Sequence, residues 1–237
     1  MASGKALLGK ALGRFIFRHA TMTSVHEVSK HFRRVELGGE GLRKSGWMPG
    51  DKVQVFLPES GMRTYTPLRW DDERGATELL LYVHGDGPGS QWSQKLAAGD
   101  RCQFFGPRRS LVVRNDESVF LFGDETSFAV AHALKTSVRT GSLRGIFEVS
   151  QRSESDGVLR QMGLDERECI ERAPGDAHLD LACESIRREL RIRPDTRVVL
   201  TGRAQSIQRI RAWLKDDGLR PPSTVKAYWS VGKKGLD

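Results

Sequence analysis

The stretch Arg63-Thr64-Tyr65-Thr66-Pro67-Leu68-Arg69 decides how the chain is read. Apolar residues alternate on both sides of it, in Val53-Gln54-Val55-Phe56-Leu57 before and Glu78-Leu79-Leu80-Leu81-Tyr82-Val83-His84 after. Alternation with period two marks a strand with one buried face. The flanks therefore read as strands, and the heptamer as a strand beside an opening in the sheet. Successive side chains on an extended backbone point to opposite faces, so Arg63, Tyr65 and residue 67 share one face and Thr64 and Thr66 the other. An arginine fork, a phenol and a hydroxyl suit a phosphate, a flat ring and that ring's edge. Next comes Gly85-Asp86-Gly87-Pro88-Gly89-Ser90-Gln91-Trp92, a glycine-rich turn into a short helix predicted to end near Leu96. Backbone N–H groups at a helix start form an anion site, and glycines let a pyrophosphate approach closely. One ligand with a diphosphate and an aromatic ring is a flavin dinucleotide. The plainer reading, a barrel strand with a surface arginine and then a loop, is weakened by the glycine turn standing at the right distance.

A chain of 237 residues, 38% hydrophobic, fits two compact domains or one large one. No apolar run approaches the roughly 18 residues that a spanning helix needs, so no integral membrane segment is expected. The leader Ala6-Leu7-Leu8-Gly9-Lys10-Ala11-Leu12-Gly13-Arg14-Phe15-Ile16-Phe17 is interrupted by Lys10 and Arg14. A signal-peptide core is continuous, so export is not expected; the bland reading is a lead into the first strand, the other a basic arm on anionic lipid. Cys102, Cys169 and Cys183 are widely spaced, without the pairs that hold an iron–sulfur cluster or the even set of a disulfide framework. A reducing cytoplasm and an organic redox cofactor follow. The net charge of +8 raises nucleic acid as a partner. The 38 basic residues are scattered among 30 acids with no nucleic-acid-binding motif, so small anions are the better reading. No metal is expected: His84 has no second histidine or carboxylate at ligand spacing and reads as an adenosine contact or barrel packing.

Along the chain, alternating stretches at 23–28, 32–37 and 52–57 are punctuated by Gly38-Gly39, Gly41 and Pro49-Gly50-Asp51, the rhythm of a sandwich or barrel. A polar tip at 70–75 and a strand at 101–105, closed by Gly106-Pro107, continue it. Near residue 115 the pattern changes. Val119-Phe120-Leu121-Phe122 is a continuous apolar run, the mark of a buried parallel strand. Gly123-Asp124-Glu125-Thr126 leads into a helix over 127–138 with Thr126 as its N-cap. Further strands are predicted at 143–149, 197–200 and 224–229, with a helix at 205–214; residues 151–180 have too weak a pattern to assign. Such alternation gives an open α/β sheet whose ligand lies at the C-terminal ends of the strands. The domains expected are 1–114 and 115–237.

The blocks 63–69, 84–92, Gly106-Pro107, Gly123-Asp124-Glu125-Thr126 and Lys226-Ala227-Tyr228-Trp229 stand in the order seen in siderophore-interacting proteins, and from about residue 15 onward the chain resembles that family. These are FAD-containing, NAD(P)H-dependent ferric-siderophore reductases of the ferredoxin-reductase superfamily. The resemblance implies an antiparallel FAD-binding β-barrel followed by a nicotinamide-binding α/β domain with a mostly parallel sheet. It implies that Arg63 binds the FAD diphosphate, that Tyr65 lies against the ring and Thr66 near its reactive edge, and that Gly87, Gly89, Ser90 and Trp92 form the phosphate turn beside His84. Gly123, Asp124, Glu125 and Thr126 would face the nicotinamide cofactor, with backbone and Thr126 making the contacts because two carboxylates sit awkwardly beside a pyrophosphate. Ser150 and Arg152 follow the strand 143–149, and a hydroxyl with an arginine fork suits a 2′-phosphate, so NADPH is expected over NADH. Lys226, Lys233 and Lys234 would attract an anionic ferric chelate. The family more often has arginine at Ser230 and glutamate at Arg203, departures that bear on the chelate contact and the nicotinamide site.

A flavin accepts an electron pair and releases electrons singly, which couples a nicotinamide donor to Fe(III). No acid–base dyad is needed for that, and none is found. Three readings follow: a monomeric NADPH-dependent ferric-siderophore reductase; a flavin reductase serving a ferredoxin or oxygenase-type protein; and a basic binding module without redox chemistry.

Overall fold

The computed structural model describes residues 17–57, 61–138, 140–164 and 166–232. The basic leader up to residue 16, and Lys233 and Lys234, lie outside the described residues.

Seven strands form the first sheet: β1 (Arg18–Ser29), β2 (Phe32–Gly38), β3 (Lys52–Leu57), β4 (Gly61–Tyr65), β5 (Pro67–Asp71), β6 (Ala76–Tyr82) and β7 (Arg101–Arg108). All pair antiparallel, in the order β4-β3-β7-β1-β2-β6-β5. Alternation supplies the core: Val53, Val55 and Leu57 of β3 meet Leu79, Leu81, Phe104, Met22 and Val35. The heptamer 63–69 is not one strand, as the sequence suggested. Arg63 and Tyr65 pair with Val55 and Val53 of β3, whereas Pro67 pairs with Leu79 of β6. Proline has no N–H to continue a ladder, so the chain leaves one edge of the sheet at Tyr65 and joins the opposite edge at Pro67. The two edges are thereby drawn together at Thr66, and the barrel has its seam there.

Five parallel strands form the second sheet: β8 (Ser118–Asp124), β9 (Ser142–Val149), β10 (Glu168–Glu171), β11 (Arg197–Arg203) and β12 (Ser223–Trp229), in the order β10-β9-β8-β11-β12. The helices are α1 (Pro88–Lys95) beside the barrel, then α2 (Phe128–Ser137), α3 (Arg152–Gln161), α4 (Leu179–Ile192) and α5 (Ala204–Asp216). The apolar run of β8 is divided between two cores. Val119 and Leu121 pack with Phe128 of α2 and Val158 of α3; Phe120 and Phe122 pack with Ile186 of α4 and Ile207 of α5. The first of these cores runs on into the barrel through Phe32, Leu68 and Leu80, and the rings of Phe32 and Phe128 stack with centroids 5.5 Å apart. One apolar core thus fixes the two sheets against each other.

Close approach dictates two glycines at the strand ends. A Cβ on Gly123 would lie 2.5 Å from the Cβ of Ser127. Gly202 has φ 95°, a conformation costly for other residues, and a Cβ there would lie 2.4 Å from the Asp124 carboxylate. Gly202→Ala is expected to destabilise the fold by about 2–4 kcal/mol, from the positive φ together with the steric clash. Urea unfolding measures it, and a loss below about 0.5 kcal/mol, the size of a neutral surface change, would contradict this packing.

Candidate functional site

The site is assembled from the barrel seam, the start of α1 and the C-terminal ends of the parallel strands. On the barrel side, a Cβ placed on Gly89 would lie 3.7 Å from both the Cγ of Arg63 and the hydroxyl of Tyr65. The first turn of α1 therefore sits against the Arg63–Tyr65 face of β4. Its backbone ladder begins with the Gln91 N–H donating to the Gly87 carbonyl at 3.0 Å, so the N–H groups of Gly89 and Ser90 precede it, at the positive end of the helix dipole. Trp92 lies 6.0 Å from Tyr65, ring to ring. Burial pushes the Tyr65 phenol well above its usual range, so it stays neutral and a donor. An anion pole beside paired aromatic rings matches the two ends of FAD, and the residues present fit that cofactor. Ser90 contributes differently from the expectation: its buried hydroxyl donates to the His84 carbonyl at 2.6 Å and accepts from the His84 N–H at 2.9 Å. It braces the turn, leaving only its own N–H for an anion.

On the α/β side the acidic pair is turned inward. Thr126 is not the cap of α2, where Ser127 holds the N-cap position; Asp124 caps the 3-10 turn Glu125–Ser127 before it: its carboxylate accepts from the Thr126 N–H at 2.9 Å and from the Thr126 hydroxyl, while the Ser127 hydroxyl accepts from the Asp124 N–H. The same carboxylate accepts from Trp229 Nε1–H at 2.7 Å, tying the end of β12 to the end of β8. Burial pushes Asp124 up to about 6. Glu125, 3% exposed, accepts from the Ser150 N–H at 2.6 Å, from the Tyr82 hydroxyl at 3.1 Å and from both terminal nitrogens of Arg172 at 3.0 and 2.6 Å. Burial alone would raise Glu125, but the Arg172 contacts overcome it and hold the carboxyl below its usual range. Neither carboxylate faces outward, and this removes the conflict with a pyrophosphate noted from the sequence.

Ser150 and Arg152 are separated by their partners. The Ser150 hydroxyl accepts from Arg172 at 2.8 Å and lies 3.3 Å from the Tyr82 hydroxyl. Arg152 opens α3, its guanidinium 3.5 Å from Asp156 and its N–H bonded to Glu171. Arg203 and Ser230, the departures from the family pattern, are also engaged: Arg203 donates to Ser206, pairs with Asp176 and lies 3.5 Å from Glu148, and Ser230 accepts from Gln205 at 3.0 Å.

Sequence reasoning gave no role to three residues here, Arg172, Trp229 and Lys52. Arg172 lies in the unassigned segment, and its guanidinium also rests 5.9 Å over the Trp229 ring. Trp229 was quoted but given no role; His84, lowered by burial, lies 5.6 Å from it and 5.2 Å from Tyr82, ring to ring. Lys52 and Arg108 join Lys226. Lys52 is the cross-strand partner of Arg108, and burial, then the charges of Lys226 and Arg108, hold its ammonium below the usual range. Among the described residues none of these three cations has a carboxylate within 4.0 Å. Nothing in the sequence signals that positions 52, 108 and 226 meet.

Residues 59–111 match the family model for the siderophore-interacting FAD-binding domain. A curated NADPH-dependent ferric-chelate reductase from Escherichia coli K12 is 30% identical over 131 residues, covering 45% of this chain and 50% of that protein, so the match spans about half the relative's length. Among solved structures, a siderophore utilization protein from T. fusca shares 24% identity with TM-score 0.73, covering 93% of this chain and 95% of the other. The siderophore-interacting protein SipS from Aeromonas hydrophila shares 17% with TM-score 0.74, covering 92% and 93%. The resemblance carried by the sequence blocks holds, and these structures share the fold.

Arg172→Met is expected to destabilise the protein by about 3–5 kcal/mol at neutral pH, because it leaves a buried carboxylate unpaired. A group whose folded pKa is depressed contributes stability above its unfolded value, here 4.5, and loses it as pH falls. The deficit should therefore shrink in acid, and Arg172→Met with Glu125→Gln should recover much of it. Denaturant unfolding between pH 4 and 8 reads both effects; a pH-independent deficit that the second change leaves intact would show that the ion pair is not its source.

Proposed function

We propose that this chain is a flavin-dependent reductase that takes electrons from NADPH and delivers them to Fe(III) in an anionic chelate of the siderophore type, releasing iron as Fe(II). The observation that carries the acceptor is the trio Lys52, Arg108 and Lys226. Cations gathered without counter-charges are held at a cost in self-repulsion, which a bound polyanion offsets. The trio stands beside the ring-binding residues: Lys52 precedes Val53, the cross-strand neighbour of Tyr65, and Lys226 lies on β12 shortly before Trp229. A negatively charged chelate drawn to it arrives next to the barrel seam.

The chain's own residues then have separable tasks. Arg63 and the N–H groups of Gly89 and Ser90 would hold the diphosphate of FAD, with Tyr65 and Trp92 flanking its ring and Thr66 at the seam. Bound there, the flavin would supply acceptance of an electron pair and single-electron release. Gly123 and Thr126 present backbone toward the nicotinamide cofactor while Asp124 and Glu125 brace the turn from inside. His84 and Trp229 pack the space between the two domains' contributions and limit water. No side chain has to move a proton to iron. Hard oxygen donors suit Fe(III) far better than Fe(II), so the reduced ion leaves readily.

For the nucleotide, Arg152 is the residue proposed to meet the 2′-phosphate. It is exposed, its guanidinium pairs with Asp156 on its own helix, and it stands just past β9. Arg152→Ala should raise the NADPH KM severalfold more than the NADH KM; an equal rise would remove this assignment.

The whole reading is tested by anaerobic absorbance of the purified protein, with NADPH and then a trianionic ferric chelate and a ferrous-trapping dye. Flavin bands that bleach with NADPH and return as Fe(II) forms are the expected result. Bleaching without Fe(II) would instead indicate a protein acceptor, and protein that neither carries nor takes up FAD would sink the reading. Lys52→Ala with Arg108→Ala should lower kcat/KM for the chelate roughly tenfold, equivalent to ~1.4 kcal/mol, and flatten its salt dependence, while bleaching by NADPH persists.

A further inference from the structure

The first turn of α3 carries Arg152, yet the helix itself gives that turn little anchorage. Arg152-Ser153-Glu154-Ser155 holds no apolar residue, and the buried apolar side chains of the helix, Val158 and Leu159, come only in its second turn. Gly157 precedes them, and glycine is a poor helix-interior residue because it leaves the backbone free. Among the described residues the N-cap, Gln151, makes no side-chain capping bond. What holds the turn comes from outside the helix. Glu171 accepts from the Arg152 N–H at 2.9 Å, and Glu154 reaches across to the barrel.

The barrel end of this contact is the two-residue turn Lys30-His31 between β1 and β2. Three donors converge there on the Glu154 carboxylate. One oxygen accepts from the Ser29 hydroxyl at 2.6 Å and from the His31 N–H at 2.8 Å, and the other lies 2.8 Å from His31 Nδ1. The Glu154 side chain is only 12% exposed. Burial alone would raise its carboxyl, but the hydrogen bonds from Ser29 and His31 outweigh burial and hold it below its usual range. The group is therefore ionised and only accepts, so Nδ1 of His31 carries a proton. Bonds to an ionised acceptor are the strong kind. The turn has little slack of its own, because the His31 carbonyl accepts from the Val83 N–H at 2.8 Å, one residue before His84. A continuous set of bonds thus runs from the start of the glycine turn, through His31, to Glu154, two residues from Arg152.

We propose that Ser29 and His31 of the barrel are positioning residues for nucleotide choice: by gripping Glu154 they fix the first turn of α3, so that Arg152 meets the 2′-phosphate and NADP(H) is preferred to NAD(H). This rests on the role proposed for Arg152 above. Loosening the grip leaves in place the contacts that both nucleotides share and weakens the one that only the 2′-phosphate makes. The test is isothermal titration of the FAD-loaded full chain with NADP⁺ and, separately, with NAD⁺. His31→Ala is expected to weaken NADP⁺ binding by about threefold or more, the scale of coupling within one hydrogen-bonded network, and NAD⁺ binding hardly at all. His31→Asn, whose amide N–H can stand in for Nδ1–H, should restore most of the loss. Beside Arg152→Ala, His31→Ala should change the ratio of the two affinities no further, because its effect passes through Arg152. Glu154→Ala removes the same contact from the other side and is read in the same way should His31→Ala lose its cooperative melt. An equal loss for both nucleotides, or a loss that persists undiminished beside Arg152→Ala, would show that the contact only joins the domains and would overturn the proposal. If Arg152→Ala separates the two affinities while His31→Ala and Glu154→Ala do not, the grip on Glu154 fails and the role of Arg152 stands. If Arg152→Ala does not separate them, or neither nucleotide binds, that role fails and the proposal falls with it.

Discussion

The buried contact between Glu125 and Arg172 holds the functional end of the molecule together. Glu125 stands at the end of β8, Arg172 just past β10, and between them they collect the Ser150 N–H and hydroxyl after β9 and the Tyr82 hydroxyl at the end of β6. Four strand ends from two sheets thus converge on one carboxylate. A buried ion pair adds little net stability relative to apolar packing, yet losing one partner is severe. Its value here lies in position: it ties barrel and α/β sheet together with the seam and the strand ends side by side.

Neighbouring Asp124 shows the opposite electrostatic balance. With no cation in direct contact among the described residues, burial wins and raises it to about 6, whereas the adjacent Glu125 is lowered by Arg172. A raised carboxyl contributes stability in full below its unfolded value of 3.8 and loses that contribution as pH rises through about 6. Its hydrogen bond from Trp229 holds the last strand, and Gly202 leaves room for the carboxylate to reach it. The turn between β8 and α2 therefore keeps both acidic side chains inward, and what it offers outward is backbone. That is the arrangement an anionic dinucleotide requires.

Much of this was legible in the sequence where the side-chain period is strong. The apolar runs of β3, β6, β8 and β11, the glycine turn before α1 and the change of pattern near residue 115 all report local burial, which one stretch of chain carries by itself. The heptamer 63–69 was misread as one strand because Pro67 allows an extended backbone while ending a hydrogen-bonded ladder; the distinction depends on which strands are available to pair. The segment 151–180 failed for a different reason. In α3 only Ser155, Val158 and Leu159 are buried, and β10 is a four-residue edge strand with Cys169 alone buried, so little apolar periodicity exists to detect. Arg172 was lost with that segment. Of the residues proposed for the site, those on one turn of chain, such as Gly89 with Trp92, could be named from the sequence, and those that meet only through the tertiary fold could not.

The cations make the last point. From the sequence, 38 basic residues scattered among 30 acids look like a solvated surface of no particular meaning. Folding sorts them. Arg172, Arg203 and Arg187 are drawn into carboxylate networks, where their charge is used for structure. Lys52, Arg108 and Lys226 are brought near one another from β3, β7 and β12 without such partners among the described residues, and Lys52 is held below its usual range by burial and then by the other two. Self-repulsion of that kind weakens the fold and would be relieved by any scattered arrangement of the same residues. Three distant positions converging against this electrostatic cost, next to the neighbour of Tyr65, are the feature on which the proposal of a polyanionic acceptor rests.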